Sequence, residues 1–345
     1  MKLKFKIAVL LLAVIRISAY ADEYQKSVHQ GYVKSQITAL DISNKFGKIE
    51  INDLGGDSVT VDAVITIENV SENKADQLFS RININIKRSG GLINAETVIT
   101  DDFKTKGNFS IDYRINIPKD RDLTVNNKFG NVILNDLEGK GRFEIAYGNL
   151  TAGTLNAPEN TEIMLDLAYG KADIESINRL NGEIKYSKLF IGTAEKMKIN
   201  SKYSGLDVGK MADLQLESKY DGIRIDEISR ISAVSKYTNY TIEKLLNDLV
   251  IDTEYGSVRI NEVSPDFGNI EITNSYGGIT IGLNEKAYNL DADCDYCDIK
   301  YPADHFAGNR IKDDHRLQVK GSIGTNAGSR KVVIRSRYGG INLTK

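Results

Sequence analysis

The chain has two cysteines, and they stand three apart in Cys294-Asp295-Tyr296-Cys297. A C-x-x-C that opens a helix lowers one thiol's pKa and supports redox work. Here the flanking residues alternate with a period of two, so a helix is not expected. Three readings stay open: a local disulfide, two unpaired thiols, or redox or metal chemistry. A zinc site would need further ligands, and His305 is the one at hand. Asp291, Asp293, Asp295 and Asp298 surround the cysteines. The first three alternate on the outward face of one strand. Such crowding could take up Ca²⁺, but the stretch lacks the Gly and terminal Glu of an EF-hand loop, and a solvated acidic face is the expectation.

Lys185, Lys202, Lys219 and Lys236 recur at one spacing of 17 residues. If that spacing is a structural repeat, four ammonium groups align as a stripe for a polyanion such as an acidic polysaccharide. The alternative is Lys used to keep a sheet surface soluble and unpaired. His29, His305 and His315 are isolated from one another, and no G-x-S-x-G, P-loop or H-E-x-x-H occurs. No catalytic residue, cofactor site or metal site is therefore expected.

The elements that position these residues come from a repeat. An aromatic followed by a small residue returns every 17 to 22 residues from Phe129 to Tyr296, through Tyr147, Tyr169, Tyr186, Tyr203, Tyr220, Tyr237, Tyr255 and Tyr276. Outlying copies sit at Phe46 and Tyr338. Such a period marks a solenoid. With the aromatic as position 0, apolar or small residues occupy −4 and −2, then +3, +5 and +8 (Leu54, Leu137, Leu155, Ile177, Met211, Ile228, Leu245 and Val263). Alternation places −4, −2 and 0 on one face, so the aromatics are expected in the core with a corner at +1 and +2. The four Lys occupy −1, an outward position. Cys294 takes −2, where most other copies carry Asn, Ser or Thr and Ile145, Leu167 and Ile184 are apolar.

The expected fold is all-β: a single-stranded β-solenoid, β-helix-like, with rungs of about 17–22 residues. Residues 22–120 hold the first rung and a β-rich capping insertion. Its expected strands are Val59–Ile67, Ile82–Ile86, Leu92–Thr100 and Ser110–Ile117, with a short helix at Ser71–Phe79 capped by Ser71. Residues 121–301 form the repeats. Residues 302–345 form a C-terminal cap, with a hairpin around Gly324 to Gly328 and a last rung at Ile334–Leu343.

Residues 1–21 read as a signal peptide: Lys2, Lys4 and Lys6, an apolar run Ile7–Ile15, and Ala19-Tyr20-Ala21 as cleavage site. The run is too short to span a bilayer. Cleavage would remove four basic residues and no acidic one, taking the net charge from −2 to −6. That balance speaks against nucleic acid as a partner. No later stretch is apolar for long enough to cross a membrane.

Three segments carry a family resemblance: Leu40-Asp41-Ile42-Ser43-Asn44-Lys45-Phe46-Gly47-Lys48-Ile49, Ile111-Asp112-Tyr113-Arg114-Ile115-Asn116-Ile117-Pro118, and Asn127-Lys128-Phe129-Gly130-Asn131-Val132. With the Lys-Tyr-Ser/Asp rungs that follow, the chain resembles the bacterial "putative adhesin" family of repetitive β-solenoids, exported proteins of the Bacteroidetes envelope. The resemblance implies a fold and a location in the periplasm or at the surface of a Gram-negative cell. It implies no ligand and no set of binding residues.

The leading expectation is a non-enzymatic, exported, adhesin-like protein that binds a glycan or another envelope protein or serves structurally. Two alternatives stand beside it. A polysaccharide-active, lyase-like β-helix enzyme would group acidic, Lys and Arg residues on one outer face, but 17-residue rungs leave little room for cleft-building loops. A periplasmic partner in envelope signalling is the other.

Overall fold

The computed structural model describes residues 23–283 and 286–344, so the signal peptide read at 1–21 lies outside the described residues. The chain divides into two compact units, one ending at Gly153 and the other starting at Thr154.

In the first unit, period-two alternation makes short strands that stack in parallel. Ala39–Lys45 pairs with Asp122–Lys128, which pairs with Gly141–Ala146. Past the corner, Ile49–Asn52 pairs with Val132–Leu134, and that strand with Asn149–Leu155. Leu40, Ile42, Leu123, Val125, Phe143 and Ile145 fill the inner face.

The insertion closes the open side of the first rung. Leu92–Ile99 and Phe109–Asn116 add parallel to its two halves. Ile82–Ser89 and Ser58–Glu68 then turn antiparallel onto those strands, and Glu23–Val33 pairs antiparallel with Ser58–Glu68. The helix runs Glu72–Phe79 and buries Ala75 and Leu78; Ser71 occupies the N-cap, but its hydroxyl makes no capping hydrogen bond.

The second unit is the regular part. Strands Lys171–Lys185, Lys188–Lys202, Gly205–Lys219, Gly222–Lys236 and Asn239–Glu254 lie parallel and in register, each displaced from the last by one repeat. Ile174, Ile191, Val208, Ile225 and Ile242 form one inner column. A register shift between Ile228 and Arg230 absorbs the extra residue of the Asn239–Glu254 rung.

Position 0 overturns the expectation of a core aromatic. From Phe129 to Tyr338 the rings are about half exposed, from 42% at Phe129 and Tyr338 to 51% at Tyr186 and Tyr296, and Phe46 is partly buried. Each ring residue adopts left-handed backbone, with φ between 52° and 62°. One such residue resets the alternation, so the ring points out and its successor points in. Ser187, Asp221 and Thr238 at +1 are accordingly buried. The inner sequence is −4, −2, +1, +3, +5, +8. Where +1 is glycine, close approach demands it: a Cβ on Gly130 would lie 1.9 Å from Gly47 O, and one on Gly277 1.8 Å from Gly256 O. Leu54, expected inward at +8, is 74% exposed.

The far end of the second unit is threaded out of chain order. Lys331–Arg337 inserts between Asn269–Ser275 and Tyr288–Asp295, parallel to both. Ile341–Asn342 does the same between Ile279–Ile281 and Ile299–Lys300. The rung expected at the end is therefore an interior rung. The expected hairpin also moves. It is formed by Phe306–Asp313 and Arg316–Ile323, and Arg316–Ile323 covers Tyr288–Asp295 antiparallel. Gly324 to Gly328 belong to the loop leading back into the stack, since Arg316–Ile323 and Lys331–Arg337 do not pair with each other. Among the described residues, no helix is long and apolar enough to cross a membrane.

Candidate functional site

The left-handed turn repeated on every rung builds an outward column of rings. In the second unit the stack runs Tyr169, Tyr186, Tyr203, Tyr220, Tyr237, Tyr255, Tyr276, Tyr338, Tyr296, with centroids 4.7 to 5.0 Å apart and planes within 18°. His315, at the hairpin turn, caps it on Tyr296 at 4.6 Å. In the first unit Phe46, Phe129 and Tyr147 stack likewise, neighbouring rings 5.0 Å apart.

This stacking decides what the column can bind. A sugar packs on a ring face, and here the faces are spent on neighbouring rings. The ridge shows solvent the ring edges, the positive side of the aromatic quadrupole. Such an edge favours an anion.

Lys185, Lys202, Lys219 and Lys236 flank the ridge as successive register partners, and all four are exposed. Lys185 Nζ reaches Glu183 at 3.5 Å. Lys236 Nζ donates to Glu254 at 2.9 Å, which holds that ammonium's pKa above its ordinary range. Lys202 and Lys219, in the middle, have no ion-pair partner among the described residues. Glu217, two residues before Lys219, makes no ion pair with them among the described residues. The same −1 position carries Lys45 and Lys128 in the first unit, register partners of each other, and Lys128 Nζ lies 5.2 Å from the Phe129 centroid. Arg337 sits 5.2 Å over Tyr338 in the same way. Cation–ring contact is thus a second feature of the −1 position. Sequence spacing identified the four-Lys row but missed Arg337, because its rung is displaced in chain order.

Cys294 is fully buried and pairs in register with Ser336, in the column of small polar residues. Cys297 lies on the corner, and the two sulfurs are at bonding distance with Cα atoms 5.5 Å apart. His305 sits apart, in a 3-10 turn at Ala303–His305.

The acidic row is paired with basic side chains. Asp293 accepts from Arg316 through both oxygens and from Gln318 Nε2 at 2.9 Å. Its pKa is held below the usual carboxylate range, chiefly by the Arg316 hydrogen bonds. Asp291 pairs with Arg335 at 2.9 Å and Lys320 at 3.2 Å, and Asp295 approaches Arg316 at 3.9 Å. The carboxylates brought together by Tyr288–Asp295 are therefore neutralised by strands added above them. No group of three or more His, Cys, Asp or Glu among the described residues is disposed to hold a metal. His29 Nδ1 lies 2.5 Å from Asp62 Oδ1 on the exposed antiparallel strands of the first unit.

The fold and ridge define a β-solenoid with an outward aromatic column. No family model matches the chain, and no curated protein matches it. Among solved structures, it is similar to a "putative adhesin" from Parabacteroides distasonis, at 12% identity over 74% of this chain and 94% of that one, with a TM-score of 0.36. A "putative adhesin" from Parabacteroides merdae is 12% identical over 73% and 95%, with a TM-score of 0.34. A "putative cell adhesion protein" from Clostridium sporogenes is 10% identical over 93% and 99%, with a TM-score of 0.21. These descriptions coincide with the resemblance read from the sequence. At such scores no ligand or mechanism carries over from those proteins to this chain.

Proposed function

We propose that this chain is a non-enzymatic, exported, adhesin-like protein whose ridge binds an extended polyanion, with an acidic polysaccharide as the ligand class. One observation carries the reading: Lys185, Lys202, Lys219 and Lys236 stand on successive rungs beside ring edges, and the central pair has no acid partner among the described residues. Like charges at a rung spacing of about 4.8 Å repel one another. A chain of carboxylates laid along the ridge relieves that repulsion. A net charge of −2 for the whole sequence means that attraction comes from this local row.

The test is retention on immobilised polygalacturonate in a salt gradient. The wild type should elute later than a Lys185/Lys202/Lys219/Lys236→Gln variant. A control with Lys74, Lys104, Lys106 and Lys312→Gln carries the same net charge and should elute with the wild type. Coelution of the ridge variant with the wild type would refute the reading. Release of unsaturated products from the polysaccharide would refute its non-enzymatic part.

A further inference from the structure

We propose that a groove on the neighbouring face, over Gly205 and Gly222, is a binding subsite for a neutral saccharide of pyranose rings, separate from the Lys ridge. Its starting point is a pair of glycines that the backbone does not require. Lys188, Gly205, Gly222 and Asn239 are consecutive register partners, two residues past the ring. Neither glycine has positive φ. A Cβ on Gly222 would meet nothing within 4 Å, and one on Gly205 only Lys188 Cγ at 3.9 Å. Each glycine opens its strand, and a side chain fits there without hindrance. What the two glycines provide is a bare floor.

The floor lies in a groove of about 460 Å³. Its wall is the next outward column, Phe190, Asp207, Arg224 and Thr241, again in register. Lys171 of the preceding rung covers Phe190 with Nζ 4.6 Å from the ring centroid. The groove lies on the side of the following rungs. Phe190 lines the groove and stacks on no other ring among the described residues, so it can pack against the C–H face of a sugar. Asp207 has no ion-pair or hydrogen-bond partner for its carboxylate among the described residues, and its two oxygens can accept from adjacent hydroxyls. Arg224 is already held by Asp226 at 3.4 Å and Glu243 at 3.8 Å. With Lys188 balancing Asp207, the groove has no surplus charge to favour an ion. From Lys188 to Asn239 is three rungs, about 14 Å, which is room for two pyranose rings in line.

Saturation-transfer NMR with cellobiose, maltose, lactose and chitobiose tests this. Transfer is expected to at least one of the four, at high salt as at low salt, and equally in the ridge Lys→Gln variant. These two controls separate the groove from the polyanion reading. Gly205→Thr/Gly222→Thr should abolish transfer while the melting temperature does not fall, because both positions accept a β-branched side chain. Phe190→Ala should weaken it. No transfer to any of the four sugars, or undiminished transfer from the Gly→Thr variant, would overturn the proposal.

Discussion

Replacing Tyr220 separates the two opposed contributions at position 0. Its ring stacks on Tyr203 at 4.8 Å and on Tyr237 at 4.7 Å. Aromatic pairs of this kind contribute about 0.5–1.5 kcal/mol each beyond buried area. Tyr220→Ala should therefore cost about 1–3 kcal/mol. The backbone acts the other way, since φ at Tyr220 is 61°. An L-residue in that region is strained by roughly 1–2 kcal/mol, and glycine is not. Tyr220→Gly should accordingly be more stable than Tyr220→Ala, by about 1 kcal/mol. Repeat chains can unfold in parts, so the readout should be local. Hydrogen exchange at the Tyr220 amide, which donates to Lys236 O at 3.0 Å, reports opening at that corner. The chain has no Trp, so its emission comes from Tyr, and ten of its 17 Tyr stand at the ring position. If Tyr220→Ala exchanges like the wild type, the stacking contributes nothing. If Tyr220→Gly opens more readily than Tyr220→Ala, the left-handed corner is not a source of strain.

Asp221 is buried at +1, where it accepts from Ser204 N at 2.6 Å and Ser218 Oγ at 2.6 Å, and desolvation still raises its pKa above 3.8. A raised carboxyl favours folding most below its unfolded pKa and loses that contribution as pH rises through the folded value. Asp221→Asn should thus raise the melting temperature at neutral pH, and the gain should vanish in acid; a pH-independent difference would contradict this. Gly277→Ala would force a Cβ to 1.8 Å from Gly256 O, so a loss of about 3 kcal/mol or more is expected in urea denaturation. Tyr288 is fully buried and its hydroxyl has no hydrogen-bond partner among the described residues. Tyr288→Phe should raise the urea midpoint, by about 1–3 kcal/mol in stability.

The solenoid was legible because its inner columns repeat in residue type as well as in spacing. Val132 and Leu134, Leu189 and Ile191, and Val258 and Ile260 mark +3 and +5, and all are buried. The ring's direction was misread for a definite reason. Alternation counts residues on extended backbone, and a single left-handed residue shifts the count by one. Sequence does hold the corrective signal. The run +1, +3, +5 alternates without a break, and +1 is always small or polar, so the phase slip falls on the ring itself. The order of the final rungs was not legible. Lys331–Arg337 carries the same pattern as any other rung, and nothing local tells it which neighbours to join. In the ridge, the row of Lys was readable from spacing alone. Which members are left without acids was not, because Glu254 joins Lys236 only through the register. The acidic row around the cysteines showed the same limit: its basic partners Arg316, Lys320 and Arg335 arrive from strands later in the chain.

The displaced rung gives assembly of the second unit an obligatory order. A ribosome delivers Lys331–Arg337 after both rungs that it separates. Until then the Tyr288–Asp295 rung has no finished surface to settle on, and a gap one strand wide stays open beside Asn269–Ser275. Rung-by-rung growth from one end cannot finish this unit. Its last step is closure like a keystone's, with ladder hydrogen bonds on both sides formed in one event. A chain cut before residue 331 would lack an internal rung as well as an end, so such truncation should disable the unit much more than losing one terminal rung of an ordinary repeat array.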